Sequence, residues 1–133
     1  MRYLLDSNTC IQYINGRSPR VADKLDTLPK NEVVICSIVK GELFFGALRS
    51  QNPRKTMNGQ RQFLDLFVSL PFDDTCADEY AKIRATLSSK GQLIGSNDML
   101  IAAIALANNL VLVTHNVREF ERVENLKIED WET

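Results

Sequence analysis

The chain has 133 residues, 44% of them apolar and 25% charged, with 16 Lys+Arg against 17 Asp+Glu and a net charge of −1. That length suits one domain over residues 1–133, which buries about two thirds of its unfolded surface and needs neither disulfides nor a structural metal. The charge balance does not favour a generic basic nucleic-acid binder, and no apolar run approaches the ~20 residues of a membrane span.

The opening Met1-Arg2-Tyr3-Leu4-Leu5 meets a carboxylate at Asp6, so it cannot be the apolar core of a signal peptide. A cytoplasmic protein is expected. Cys10, Cys36 and Cys76 are odd in number and lack CxxC spacing, which argues against a disulfide framework or a zinc site. Each sits among apolar neighbours and reads as a buried small side chain. His115 is the single histidine, so a His-rich metal site is excluded. A solvated loop role suits it better than that of a catalytic base.

In chain order, Tyr3-Leu4-Leu5 is too short for a helix and reads as a buried strand ending at Asp6. Asn8 or Thr9 starts a helix that Gly16 stops. Ser18-Pro19 caps a second helix, with Val21, Leu25 and Leu28 inward and Pro29 as its end. Val33 to Cys36 is a second buried strand, and Ser37 is expected to cap the helix carrying Ile38, Leu43, Phe44, Ala47 and Leu48. After Gln51-Asn52-Pro53 a helix is expected from about Pro53 to Leu70, with Phe63, Leu64, Phe67 and Val68 inward. Pro71-Phe72 reads as a turn or short strand. A helix from Asp74 or Thr75 closes at Gly91. Ile94 to Asp98 is a polar turn leading into an apolar helix from Met99 to Ala107, which Asn108-Asn109 ends. Leu110 to Val113 is the third clear strand, and Lys127-Ile128 a short last one. Strands alternating with helices imply a parallel sheet covered on both faces.

Ligands of such sheets bind beyond the carboxyl ends of the strands. Asp6 and Thr114-His115-Asn116 follow strands directly, Glu42 lies about one and a half turns into its helix, and Asp98 opens another. Each alone has an ordinary explanation: a turn residue, a solvated acid, an N-terminal helix acid or a turn asparagine. Together they bring several acids to one sheet edge. Crowded carboxylates repel, and one protonates unless a cation is present. Oxygen-only ligands suit Mg²⁺ or Mn²⁺ rather than zinc, and phosphodiester hydrolysis is the chemistry such a site suits best. Between Glu42 and Asp65 there is no acid, while Arg49, Arg54, Lys55 and Arg61 all fall there. They are candidates for phosphate contacts, or an ordinary solvated face.

Four segments carry a family resemblance: Leu4-Leu5-Asp6-Ser7-Asn8, Ser37 to Leu43, Ile94 to Ala103, and Val113 to Phe120. In that order and spacing the chain resembles PIN-domain proteins of the VapC type, the toxins of bacterial toxin–antitoxin pairs. The resemblance implies a three-layer α/β/α Rossmann-like sandwich with a central parallel sheet. It implies an endoribonuclease using Mg²⁺, with Mn²⁺ as substitute, that cuts structured RNA, often transfer RNA, and inhibits translation. It also implies a homodimer and a VapB-like antitoxin that blocks the active site and represses the operon. By position, Asp6, Glu42 and Asp98 match the family's core acids and would hold the metal. The fourth position, often Asp, is Asn116 here, with Glu119 three residues later, and either completes the set. Ser7 and Thr114 match small hydroxyl positions that orient a ligand or water.

Two rivals stand beside this reading. An aspartyl-phosphate phosphatase wants a second acid two positions after its nucleophile, where Asn8 stands, and neither GxGxxG nor GxxxxGK[ST] occurs. A PIN-like RNA- or protein-binding module without catalysis is kept open by Asn116. Phe44, Phe45 and Leu48 offer more apolar surface than one helix stripe buries, as a dimer or antitoxin contact or as a helix buried on two sides.

Overall fold

The computed structural model describes residues 1–133. Five strands form one sheet: β1 (Tyr3–Leu5), β2 (Val33–Cys36), β3 (Val68–Leu70), β4 (Val111–Val113) and β5 (Lys127–Glu129). Their spatial order is β3-β2-β1-β4-β5, and every pair is parallel. Seven helices connect them: α1 (Ser7–Ile14), α2 (Pro19–Thr27), α3 (Ser37–Leu48), α4 (Pro53–Leu64), α5 (Asp74–Ser89), α6 (Ser96–Ala107) and α7 (Val117–Phe120).

The chain runs outward from β1 to β3, then returns across the sheet to β4. Right-handed crossovers therefore place α1 to α4 over one face and α5 and α6 over the other. The packing agrees: α1 touches α2, α3 and α4, while α5 packs along α6. This is the three-layer sandwich with a central parallel sheet that the sequence implied. A continuous cluster of 31 buried residues fills both interfaces. Leu4, Leu5, Ile35 and Leu112 are fully enclosed, as strands covered on both faces require. The direction of travel reverses between β1 and β4, which opens a crevice at their carboxyl ends.

Several boundaries differ from the sequence reading. The helix expected to reach Leu70 stops at Leu64, and Val68–Leu70 instead pairs with β2 as an edge strand. Val68 is consequently 59% exposed rather than inward, although Phe67 is buried. The strand expected around Pro71 thus ends one residue before it. Cys36, not Ser37, occupies the cap position of α3, and the Ser37 hydroxyl donates to the Leu70 carbonyl at 3.5 Å. Helix α6 starts at Ser96, so Asp98 lies in its first turn. The short α7 was not expected.

Helix α5 closes where anticipated. Gly91 takes φ +64°, its N–H reaches the Ser88 carbonyl, and the Gln92 N–H reaches that of Leu87. The three cysteines are free and buried, and burial pushes the Cys10 and Cys36 thiols up, away from thiolate chemistry.

Candidate active site

Strand β1 ends at Leu5 and the chain enters α1 at Ser7, so Asp6 falls at the N-cap with extended backbone. Its Oδ1 accepts the Ser7 N–H at 2.8 Å and its Oδ2 accepts the Thr114 hydroxyl at 2.7 Å. Thr114 follows β4, the hydrogen-bonded neighbour of β1, and is wholly buried. Asp6 is itself only 6% exposed. Burial pushes its carboxyl above the ordinary range, against the lowering by the Thr114 and Ser7 hydrogen bonds, and the Glu42 charge adds to the rise.

Glu42 leans back from the second turn of α3. Its Oε1 accepts the Ser7 hydroxyl at 2.5 Å, and its Oε2 accepts the Asn97 amide at 3.5 Å. Ser7 thus serves two acids, with its backbone on Asp6 and its side chain on Glu42. Asp98 approaches from α6. Burial first, then the charges of Asp6, Glu42 and Glu119, push its carboxyl up to about 6.

A further acid adds to this field. Glu119, half-buried on α7, acts on Asp98. Asn116 enters only through its backbone, whose N–H donates to the Thr114 hydroxyl at 3.0 Å. Of the two positions left open by the sequence, Glu119 has its charge within reach of Asp98, and the Asn116 backbone holds the Thr114 hydroxyl. None of the four carboxylates is paired with a lysine, arginine or histidine. His115 turns instead to Asp130, with Nδ1 and Oδ2 2.9 Å apart, and that hydrogen bond raises its pKa.

Asn97 was not singled out from sequence. Its neighbour Asp98 was the nearest signal, and the partner lies 55 residues away. The basic residues divide. The Arg49 and Arg61 guanidinium groups lie over the Phe45 and Phe44 rings, 5.2 and 4.4 Å from the centroids. Arg54 and Lys55 sit at the start of α4 and line a shallow hollow.

Gly95 caps α6 against the carboxylate of Asp98, and a Cβ placed there would lie 3.1 Å from Oδ2. Gly95→Ala should therefore displace that carboxylate by a few tenths of an ångström while leaving the fold intact. The expected result is an unchanged melting temperature with catalysis reduced about tenfold or more, as misplacement of a reacting group commonly costs. Thermal melting beside any cleavage assay checks it, and equal activity would show that the contact is harmless.

A doubly wound parallel sheet with an unneutralised acidic cluster at its switch point defines an α/β/α domain with an oxygen-donor centre. The PIN domain family matches residues 3–126. The chain belongs to that family, in its VapC group. It is 38% identical to Ribonuclease VapC2 of Rickettsia felis, with 99% of each chain covered. It is 35% identical to the tRNA(fMet)-specific endonuclease VapC of Salmonella typhimurium, with 98% of each covered. A chain in the crystal structure of VapBC2 from Rickettsia felis, bound to a DNA fragment from their promoter, superposes with a TM-score of 0.92. That pair is 37% identical and covers 98% of this chain and 99% of the other.

Proposed function

We propose that this chain is a divalent-metal-dependent endoribonuclease that cuts structured RNA, transfer RNA foremost, and inhibits translation as the toxin of a toxin–antitoxin pair. The observation that carries the reading is that Asp6, Glu42 and Glu119 lie near enough for their charges to act on Asp98 at one sheet edge, with no cationic side chain to balance them. The activities named for the Rickettsia and Salmonella relatives support it.

The donor set fits Mg²⁺, with Mn²⁺ as substitute, because every candidate ligand is a carboxylate oxygen and burial raises the cost of leaving them bare. Asp6, Glu42 and Asp98 would hold the ion. When bound, it lowers the pKa of a coordinated water and neutralises charge on the phosphodiester. The protein's own part is to aim the oxygens. Ser7 and Thr114 fix Asp6, Ser7 and Asn97 fix Glu42, and, without metal, burial and its charged neighbours push the Asp98 carboxyl up to about 6. In-line attack leaves 5′-phosphate and 3′-hydroxyl ends.

A VapB-like antitoxin and a second copy of the chain are the protein partners in this reading. The Rickettsia felis VapBC2 assembly supports the first. Phe45 and Leu48, 60% and 66% exposed side by side on α3, offer an apolar contact for either. No helix is long and apolar enough to cross a membrane. A cytoplasmic setting suits an RNA substrate.

The test is incubation of the antitoxin-free protein with total bacterial RNA in Mg²⁺, Mn²⁺ or EDTA, mapping every new end. Discrete metal-dependent cuts with 5′-phosphates, absent in Asp6→Asn, are expected. A folded protein that cuts nothing in either metal overturns the proposal.

A further inference from the structure

Outside the acidic crevice, a second group of metal-ligating side chains gathers where β4 and β5 end. His115 Nδ1 stands 2.9 Å from Asp130 Oδ2 and 3.8 Å from Glu132 Oε2, and the three ligand atoms lie within 4.8 Å of one another. Tetrahedral Zn²⁺, bound to nitrogen and oxygen at about 2.0–2.2 Å, holds its donors about 3.4 Å apart. The two separations from the imidazole bracket that value.

The fold sets this spacing. Strands β4 and β5 pair in parallel with Val113 opposite Glu129, and the Thr114 N–H continues the ladder to the Glu129 carbonyl at 3.0 Å. His115 and Asp130 therefore leave neighbouring strands at nearly the same level. Asp130 Oδ1 accepts the Glu132 N–H at 3.0 Å, a turn that brings the second carboxylate to the imidazole. Between the two acids, Trp131 is buried edge-on against Tyr3 of β1, with ring centroids 5.2 Å apart, and ties the segment to the sheet.

A simple ion pair does not account for the group. The Asp130 and Glu132 side chains are only 16% and 18% exposed, and no lysine or arginine pairs with either. A protonated imidazole balances one carboxylate and leaves the other without a counter-charge, in surroundings that withdraw both from water. A divalent cation balances both. The donors also select the ion, since one imidazole nitrogen with carboxylates suits Zn²⁺, whereas the all-oxygen set around Asp6 suits Mg²⁺. The imidazole is 56% exposed, so the group is open to an ion arriving from solvent.

We propose that His115, Asp130 and Glu132 form a zinc site, with His115 Nδ1, Asp130 Oδ2 and Glu132 Oε2 as ligands and a water completing the tetrahedron. An ion held there clamps the segment after β5 to the segment after β4, next to Thr114. The site is independent of the ribonuclease reading, because it uses none of the acids assigned to that centre.

The experiment titrates the full-length protein with Zn²⁺ as the probe, in excess Mg²⁺ so that the crevice acids are competed for. Calorimetry gives the stoichiometry, the emission of Trp131, the single tryptophan, gives a local signal, and thermal melting measures the clamp. Wild type should bind one Zn²⁺ per chain, shift its emission along the same curve and melt at a higher temperature, and EDTA should reverse all three. His115→Ala and Glu132→Gln should weaken binding by about tenfold or more, the least that removing a group around a bound metal costs, and should lose the rise in melting temperature. Asp98→Asn should bind Zn²⁺ as wild type does. Zinc affinity unchanged in His115→Ala and Glu132→Gln overturns the proposal, as does a wild type that binds no Zn²⁺ at micromolar concentrations. Binding lost in Asp98→Asn alone would place the ion in the crevice and overturn it as well.

Discussion

Asp98→Asn is expected to yield a protein that no longer cuts RNA yet, without metal, is more stable than its parent. The two effects share one cause. Asp98 is partly buried and faces the charges of Asp6, Glu42 and Glu119, which holds its carboxyl near 6 instead of 3.8. Ionising it at neutral pH costs the folded state up to about 3 kcal/mol by that displacement, and screening by water at this half-exposed position reduces the figure to about 1 kcal/mol. The amide keeps the shape and removes the repulsion, but it cannot supply a charged ligand. The loss of activity is expected to be about 10²–10³-fold or more.

The pH dependence of stability follows with a definite sign. The folded value lies above the unfolded one, so the contribution of Asp98 to stability is complete below about 3.8 and is lost as pH rises through about 6. Metal-free wild type should melt higher at pH 5 than at pH 8, and Asp98→Asn should flatten that difference. A divalent cation in the proposed site should reverse the slope, because it competes with protons for the same oxygens. Melting curves at both pH values, with EDTA and with Mg²⁺, check all three statements. An Asp98→Asn protein less stable than wild type in EDTA at pH 8 would remove the charge-crowding account of the site.

Phe120→Ala should produce the largest loss of stability among the changes considered, about 3–5 kcal/mol from a total of about 5–15 kcal/mol. The ring is completely buried although it belongs to a helix of four residues. A helix so short has no stability of its own, so the ring's burial is what fixes α7 to the sandwich and Glu119 beside Asp98. Urea unfolding measures the loss, and a shift below about 1 kcal/mol would mean that the site relaxes around the missing ring. The Asp98 carboxyl should also titrate lower in this variant, as one of its three charged neighbours is released.

The central strands were legible because a doubly covered sheet demands short continuous apolar runs, and Tyr3–Leu5, Val33–Cys36 and Val111–Val113 have no other ready explanation. The edge was not. Phe63, Leu64, Phe67 and Val68 satisfy a helical period, and a three-residue strand with a partner on one side only is too short to display its own. The meeting of Asp6, Glu42 and Asp98 could be anticipated from their positions after strands and at helix starts. The reach of the Glu119 charge to Asp98 could not, since it depends on a short helix held by burial. Asn97 gave no signal, because an amide's role depends on what faces it from distant parts of the chain.

The Thr114 hydroxyl has a further consequence. It receives the Asn116 N–H and so has its own hydrogen committed to Asp6 Oδ2. With Oδ1 already taken by the Ser7 N–H, Asp6 meets donors on both oxygens. A proton entering the cluster finds its seat on Asp98. The four acids are therefore unequally held: Asp6 is fastened at both oxygens, to the start of α1 and to the end of β4, and so registers the site against β1 and β4.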